Sequence, residues 1–170
     1  MRVLVVGCGY VGLPLGAELV RRGHEVFGLR RNADANAELM KAGIKPLTGD
    51  ISRIEDLGGL PREYDWVVNC VASGGGTVED YRQTYFVGTH NLLQWLKAMP
   101  PRKYIYTSST SVYGQNDGSL VNENNPAEPA AETAKVLAAT ENLLLTAAKE
   151  TGFPSVILRL AGIYGPERGY

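Results

Sequence analysis

The sequence predicts an α/β fold built on a doubly wound parallel sheet. Three observations predict it: strand-like and helix-like segments alternate along the whole chain, the strand-like runs are apolar on both faces, and a glycine-rich turn joins the first strand to the first helix. Strands that are apolar on both faces belong to sheets covered by helices on both sides. Right-handed crossovers then give about six strands in the order 3-2-1-4-5-6, the Rossmann type.

Short connections separate the predicted elements. Pro14 falls in the first turn of the first helix, where a missing N–H costs little. The predicted strands are residues 2–6, 25–30, 44–47, 65–72, 103–109 and 155–160. The predicted helices are residues 11–22, 33–41, 78–99 and 131–151, with a short one near 54–57, and a polar loop is expected at about 114–129.

Size and composition favour one globular domain. The 170 residues are 44% hydrophobic and carry a formal net charge of −1, which gives no electrostatic reason to bind nucleic acid or an anionic membrane. No apolar run approaches membrane-spanning length, and the chain starts with a strand rather than a signal segment. Cys8 and Cys70 are interpreted as buried, reduced thiols rather than a disulfide or metal pair. We therefore expect a cytoplasmic protein with no nucleic-acid or membrane partner.

The glycine turn has the spacing of a dinucleotide-binding site. Gly7, Gly9 and Gly12 form the pattern G-x-G-x-x-G directly after the first strand. Gly7 permits the tight turn, Gly9 removes a Cβ where a pyrophosphate touches backbone, and Gly12 lets the helix pack closely on the strand. The helix points its free N–H groups at the phosphates, so Tyr10 and Val11 are predicted to contact the cofactor. The alternative is a glycine turn with a purely structural role.

Two arginines at the end of the second strand favour NADP over NAD. Proteins that prefer NAD place an acidic residue there to bind the ribose 2′-hydroxyl, whereas a 2′-phosphate needs arginine. The sequence has Arg30 and Arg31 and no acidic residue at that tip. NADPH is therefore predicted to bind at least several-fold more tightly than NADH. A pair of solvated surface arginines is the alternative.

Four segments make the chain resemble the extended short-chain dehydrogenase/reductase superfamily, in its NAD(P)-dependent epimerase/dehydratase branch. They are the glycine turn, Gly49-Asp50-Ile51 after the third strand, residues 106–114 (YTSSTSVYG) at the fifth and residues 158–166 (LRLAGIYGP) at the sixth. The resemblance covers nearly the whole chain. It implies an oxidoreductase or epimerase that moves hydride between a nicotinamide and a small-molecule substrate, a sugar-nucleotide or another carbonyl compound.

The resemblance also implies roles for residues around the cofactor. Asp50 would accept a hydrogen bond from the adenine amino group, with Ile51 against the ring; a plain turn aspartate is the alternative. Ala72 and Ser73, at the end of the fourth strand, would approach the cofactor beside three consecutive glycines, Gly74–Gly76. A merely flexible glycine loop is the other interpretation.

The catalytic motif implied by the resemblance is incomplete. Ser109 matches the family's catalytic serine and Lys135 its lysine, which binds the nicotinamide ribose. Ala131 stands four residues before Lys135, where the family has a tyrosine acid/base, and an alanine has no hydroxyl. Tyr85 replaces a usual asparagine, and both changes look like the atypical, epimerase-like subgroup. Tyr85 or Tyr113 could supply the missing hydroxyl, although such tyrosines more often pack with the hydroxyl at the surface.

Plain alternatives exist for the two remaining catalytic candidates. Ser109 could end the strand by bonding nearby backbone, and Lys135 could be an exposed helix lysine. Two other functions stay open: a non-catalytic module that responds to NADP occupancy, and a hydrolase on the same scaffold. The hydrolase lacks a G-x-S-x-G nucleophile elbow.

The family's substrate-covering segments come mostly after the point where this sequence ends. Residues 1–170 are therefore interpreted as an NAD(P)-binding domain whose substrate-binding part is largely absent. Apolar surface exposed at that place would favour self-association. Family members often dimerise through their two long helices, here residues 78–99 and 131–151, so we expect a homo-oligomer, most simply a dimer.

Overall fold

The sheet has the predicted strand order and direction. The computed structural model describes residues 1–166, 168 and 169, without the side chain of Ala35. Within these residues six strands form one sheet in the order β3-β2-β1-β4-β5-β6, and every neighbouring pair is parallel. The strands are β1 Arg2–Val6, β2 Glu25–Arg30, β3 Lys45–Thr48, β4 Trp66–Asn69, β5 Lys103–Ser109 and β6 Ser155–Leu160.

Helices cover both faces of the sheet, as predicted. The α-helices are α1 Gly12–Arg21, α2 Asn36–Lys41, α3 Ile54–Leu57, α4 Val78–Tyr81, α5 Gly88–Leu96 and α6 Glu132–Thr151. Short 3-10 turns occupy Ala33–Ala35 and Thr110–Val112. The long helix predicted over residues 78–99 contains a π-helical stretch, Arg82–Val87, between α4 and α5.

The central strand β1 shows why these elements assemble. Its side chains alternate between the two faces of the sheet. Val3 and Val5 pack into a cluster with α1 and α2, whereas Leu4 and Val6 pack into a second cluster with α5 and α6. All four are at most 1% exposed. A strand buried on both faces fixes β1 at the centre of the molecule.

The fourth strand ends at Asn69 and not at Ala72 as predicted, because a buried side chain turns the backbone away. The Cys70 N–H still donates to the Val6 carbonyl at 2.8 Å. The Val71 N–H instead donates to Oδ1 of Asn69 at 3.3 Å, and such local bonds compete with strand pairing. The residues after Asn69 therefore leave the sheet and line a cleft. The third strand likewise starts one residue later than predicted, at Lys45.

The outer strand β6 is covered on one face only. Ile157 packs toward the α6 cluster. Val156 and Leu158, which point to the opposite face, remain 38% and 43% exposed. None of the described helices has the length and apolar content that a membrane span requires.

Candidate dinucleotide-binding site

A cleft of about 640 Å³ opens at the carboxyl ends of the central strands. It lies between β1 and β4, where the strand order reverses, and open α/β sheets bind their ligands at this position. Ten of the predicted site residues line it: Gly7, Gly9, Tyr10, Val11, Arg30, Arg31, Asp50, Ile51, Ala72 and Ser109. Gly12, Ser73 and Lys135 do not line it.

The three glycines of the turn differ in what surrounds them. Gly7 has a φ of +82°, and a Cβ there would lie 2.7 Å from the Val71 Cα. A Cβ on Gly12 would overlap the Gly7 carbonyl oxygen, so Gly12 is needed for α1 to pack on the turn. A Cβ on Gly9 would meet no described atom within 4 Å. Packing within the described chain therefore does not demand a glycine at position 9, and its bare backbone borders open space.

Arg30 and Arg31 have different surroundings. Arg30 donates from Nε to the Cys8 carbonyl at 2.6 Å and from Nη1 to Glu38 at 2.8 Å. Arg31 is exposed, and a Cβ on Gly74 would lie 3.8 Å from its Nη2. No carboxylate of the described residues lies within ion-pair distance of Arg31. Arg30 thus braces the glycine turn, whereas Arg31 has no ion-pair partner among the described residues.

The adenine end that the resemblance implies is built by a short turn after β3. Oδ1 of Asp50 accepts from the N–H and the hydroxyl of Ser52, at 2.9 and 2.7 Å. The other carboxylate oxygen of Asp50 has no hydrogen-bond partner in the described part of the chain. Ile51 is 6% exposed, and Asn91 donates to its carbonyl at 2.8 Å. The turn therefore holds its own shape and still offers one free acceptor to the cleft.

Hydroxyl groups gather where β5 ends. Oγ of Ser109 accepts from the Ser111 N–H at 3.1 Å, which leaves the Ser109 proton free to be donated. Tyr85 also lines the cleft, and its hydroxyl oxygen accepts from the Ser73 N–H at 3.1 Å. Burial raises the pKa of Tyr85, so this phenol stays protonated at neutral pH. Tyr113 does not line the cleft, and its hydroxyl donates to the Asn122 carbonyl.

The structure does not bring Lys135 into the cleft. Its Nζ donates to Glu132 at 2.6 Å, and both side chains are more than half exposed. Ala131 is the exposed residue that precedes α6. The α6 residue that lines the cleft is Leu137, which belongs to the buried stripe of this helix. Lys135 lies on another side of the helix because successive residues turn by about 100°.

A buried ion pair beside Ser109 is missing from the sequence-based prediction. Glu141 is 2% exposed, and it accepts from Arg159 Nη2 at 2.7 Å and from the Ser108 hydroxyl at 2.6 Å. The guanidinium carbon of Arg159 lies 4.7 Å from the centre of the Tyr113 ring, and the carboxylate of Glu141 raises the pKa of Arg159. Two features of the sequence could have predicted this ion pair: an acidic residue on the apolar stripe of α6 and an arginine within the apolar strand β6.

Known proteins match this chain over part of their own length. The model of the NAD dependent epimerase/dehydratase family matches residues 3–170. Protein YeeZ of Escherichia coli (strain K12) is 31% identical over 175 residues, which cover 98% of this chain and 60% of the relative. The dTDP-6-deoxy-L-talose 4-dehydrogenase (NAD(P)(+)) of Kitasatospora kifunensis is 31% identical over 170 residues, covering 96% of this chain and 53% of the relative.

Solved structures of sugar-nucleotide epimerases superpose closely on the chain. A UDP-galactose 4-epimerase matches with a TM-score of 0.86 and 25% identity, over 98% of this chain and 58% of that one. The UDP-glucose 4-epimerase of Thermus thermophilus, in complex with NAD, matches with a TM-score of 0.85 and 28% identity, over 99% of this chain and 58% of that one. The chain thus spans between about half and three fifths of these proteins. Fold, motifs and relatives agree, and the chain belongs to the NAD-dependent epimerase/dehydratase family.

Proposed function

We propose that this chain is the NADP-binding part of an oxidoreductase or epimerase that acts on a sugar-nucleotide or other carbonyl substrate. The observation that carries the cofactor choice is Arg31, an exposed cation at the tip of β2 that lines the cleft. A 2′-phosphate gains from a guanidinium at this position, whereas a ribose 2′-hydroxyl gains from a carboxylate. Arg31 has no carboxylate within ion-pair distance among the described residues, so its charge is available.

The chain's own residues supply binding and polarisation. When bound, the dinucleotide supplies hydride transfer at its nicotinamide ring. The glycine turn offers bare backbone to the diphosphate, and Asp50 offers a carboxylate oxygen to the adenine amino group. Ser109 holds its hydroxyl by accepting from the Ser111 N–H. Its proton is therefore directed outward, where it can hydrogen-bond a carbonyl oxygen of the substrate.

The substrate class is supported by the relatives rather than by this cleft. Several proteins similar to this chain are named for UDP- or dTDP-linked sugars. The matched regions cover 53%, 53% and 58% of these proteins. We propose a homodimer as the working form, and a cytoplasmic location in keeping with the two unlinked thiols, Cys8 and Cys70.

The cofactor proposal is tested by titrating the protein with NADPH and with NADH. The parent is expected to bind NADPH at least several-fold more tightly. Arg31→Ala should weaken NADPH binding by about ten- to hundredfold, since a charge-assisted hydrogen bond contributes about 1.5–3 kcal/mol, and should leave NADH binding unchanged. Arg102→Ala is the matched control, because Arg102 is 82% exposed and precedes β5 at the opposite end of the sheet. Equal affinities in the parent, or tighter NADH, would reject the preference for NADP.

A non-catalytic NADP-binding module is the second candidate, and α6 favours it. This helix presents Leu137 to the cleft and keeps Lys135 paired with Glu132 outside it. NADPH oxidation is measured with a panel of carbonyl compounds that includes nucleotide-linked keto sugars. Turnover that disappears in Ser109→Ala while NADPH affinity remains supports the enzyme. NADPH binding without turnover of any substrate favours the module. The hydrolase alternative has no support in the structure, because no histidine is among the described residues that line the cleft.

A further inference from the structure

Arg168 reaches the same cleft from beyond β6. It lines the cleft together with Gly9 and Arg31. Its backbone pairs with that of Gly165, whose N–H donates to the Arg168 carbonyl at 2.9 Å and whose carbonyl accepts the Arg168 N–H at 3.0 Å. This narrow turn fixes the direction in which the Arg168 side chain leaves the backbone.

Tyr10 joins this turn to the glycine turn. Its hydroxyl donates to the Pro166 carbonyl at 3.1 Å. A Cβ on Gly165 would lie 2.5 Å from the same hydroxyl oxygen, so the two segments approach as closely as a glycine allows. The guanidinium carbon of Arg168 lies 5.2 Å from the centre of the Tyr10 ring. A cation is therefore stacked on the residue that directly follows Gly9.

Two guanidinium groups that line the cleft have no ion-pair partner among the described residues. The described carboxylates that line it belong to Asp50 and Asp80. Asp50 accepts hydrogen bonds from Ser52, and Asp80 accepts from the N–H and the hydroxyl of Thr77. Within the described ranges, neither Arg31 nor Arg168 has a carboxylate at ion-pair distance. An anionic ligand with separated phosphate groups matches this distribution.

We propose that Arg168 binds the diphosphate bridge of the dinucleotide, an assignment that rests on the proposed function. A guanidinium binds phosphate oxygens in a planar, bidentate way, and stacking on Tyr10 orients it beforehand. The two arginines then read different parts of the ligand. Arg31 binds the 2′-phosphate, which NADP alone carries, and Arg168 binds the diphosphate, which NAD and NADP share. The diphosphate of a nucleotide-linked substrate has the same chemistry and is the other possible source.

The experiment compares four ligand-binding curves for each variant. NADPH, NADH, UDP and 2′-AMP are titrated into the parent, Arg168→Ala, Arg168→Lys and the control Arg102→Ala, with thermal melts of the free proteins to show that each is folded. Arg168→Ala is expected to weaken NADPH and NADH by the same factor, about tenfold, and to leave 2′-AMP binding unchanged. Arg168→Lys keeps the charge without the planar fork, so we expect an intermediate loss.

The outcomes separate this inference from the proposal on which it rests. A parent that binds neither dinucleotide refutes the proposed function itself. If the parent binds and Arg168→Ala behaves like Arg102→Ala, the role of Arg168 is wrong while the cofactor assignment stands. Loss of NADPH affinity without loss of NADH affinity would assign Arg168 to the 2′-phosphate and overturn the proposal. Weaker UDP binding with unchanged dinucleotide binding would assign it to a substrate diphosphate, which also overturns it.

Discussion

At the level of single residues, the three glycines of the first turn differ in what lies around them. Gly7 takes a left-handed φ of +82° against the backbone of Val71, and a Cβ on Gly12 would overlap the carbonyl oxygen of Gly7. A Cβ on Gly9 would meet no described atom within 4 Å. The first two are required by the fold, whereas we propose that Gly9 leaves room for a ligand that approaches its backbone.

Alanine substitutions separate these two causes. Gly9→Ala is expected to leave the free energy of unfolding nearly unchanged and to weaken NADPH binding at least several-fold, because the new methyl group occupies ligand space. Gly7→Ala is expected to cost about 1–3 kcal/mol of stability, the usual penalty for a non-glycine residue in the left-handed region. Urea unfolding and NADPH titration measure the two effects. A Gly9→Ala protein that binds NADPH like the parent would contradict the assignment of that space.

The two thiols give a prediction about pH. Burial raises the pKa of Cys8 to about 12 and that of Cys70 to about 11, whereas an unfolded thiol titrates near 8.5. Their contribution to stability is therefore complete below about pH 8.5 and is lost as the pH rises toward 12. We expect both thiols to react slowly with a thiol reagent at neutral pH and quickly in urea. The urea concentration at the unfolding midpoint should decrease as the pH is raised from about 8 to 10.5. The decrease should be smaller in the double variant Cys8→Ala/Cys70→Ala. Fast labelling of the folded protein at neutral pH would show that the thiols of Cys8 and Cys70 are not buried.

At the level of elements, one charged pair ties α6 to the sheet. Glu141 on α6 bonds both Arg159 on β6 and Ser108 on β5. Removing one partner of a buried pair leaves an uncompensated charge, which typically costs about 3–5 kcal/mol. Glu141→Leu is therefore expected to destabilise the protein by about this amount, measured by urea unfolding. The double variant Glu141→Leu/Arg159→Met should recover most of the loss. A single variant as stable as the parent would refute this role.

Much of the element order could be predicted from the sequence, because alternating and helical periodicities are local. The bounds of β1, β2, β5 and β6 agree with the predicted ones residue for residue. The early end of β4 could not be predicted, since it depends on Asn69 bonding the backbone two residues on and the buried hydroxyl of Tyr104. The π-helical stretch was also hidden, because side-chain spacing does not reveal which carbonyl each N–H selects.

The site was predictable where its residues are neighbours in the chain and not where they meet through space. The glycine turn could be predicted from the spacing of its glycines alone. The sequence could not show that Arg30 donates hydrogen bonds to Cys8 and Glu38, whereas Arg31 has no ion-pair partner among the described residues. It could not show either that α6 turns Leu137, and not Lys135, toward the cleft. Arg168 enters the cleft only because the chain after β6 returns to Tyr10.

At the level of the whole molecule, the exposed face of the edge strand β6 is expected to promote self-association of the 170-residue polypeptide. Val156 and Leu158 expose apolar side chains on the face of β6 that no described helix covers, and such patches promote association. Sedimentation is expected to show concentration-dependent self-association that decreases in Val156→Thr/Leu158→Thr. Leu145→Glu, on the exposed side of α6, tests the helix-mediated dimer separately. If neither variant changes the sedimentation coefficient, both surfaces are excluded as the interface.

The bond from Arg30 to the Cys8 carbonyl has a practical consequence for any redesign of the proposed NADP preference. Because that guanidinium donates to the glycine turn, replacing it with an acid would disturb the backbone that we propose binds the phosphates. Position 31 carries no such duty. Redesign should therefore begin with Arg31→Asp and leave its neighbour untouched.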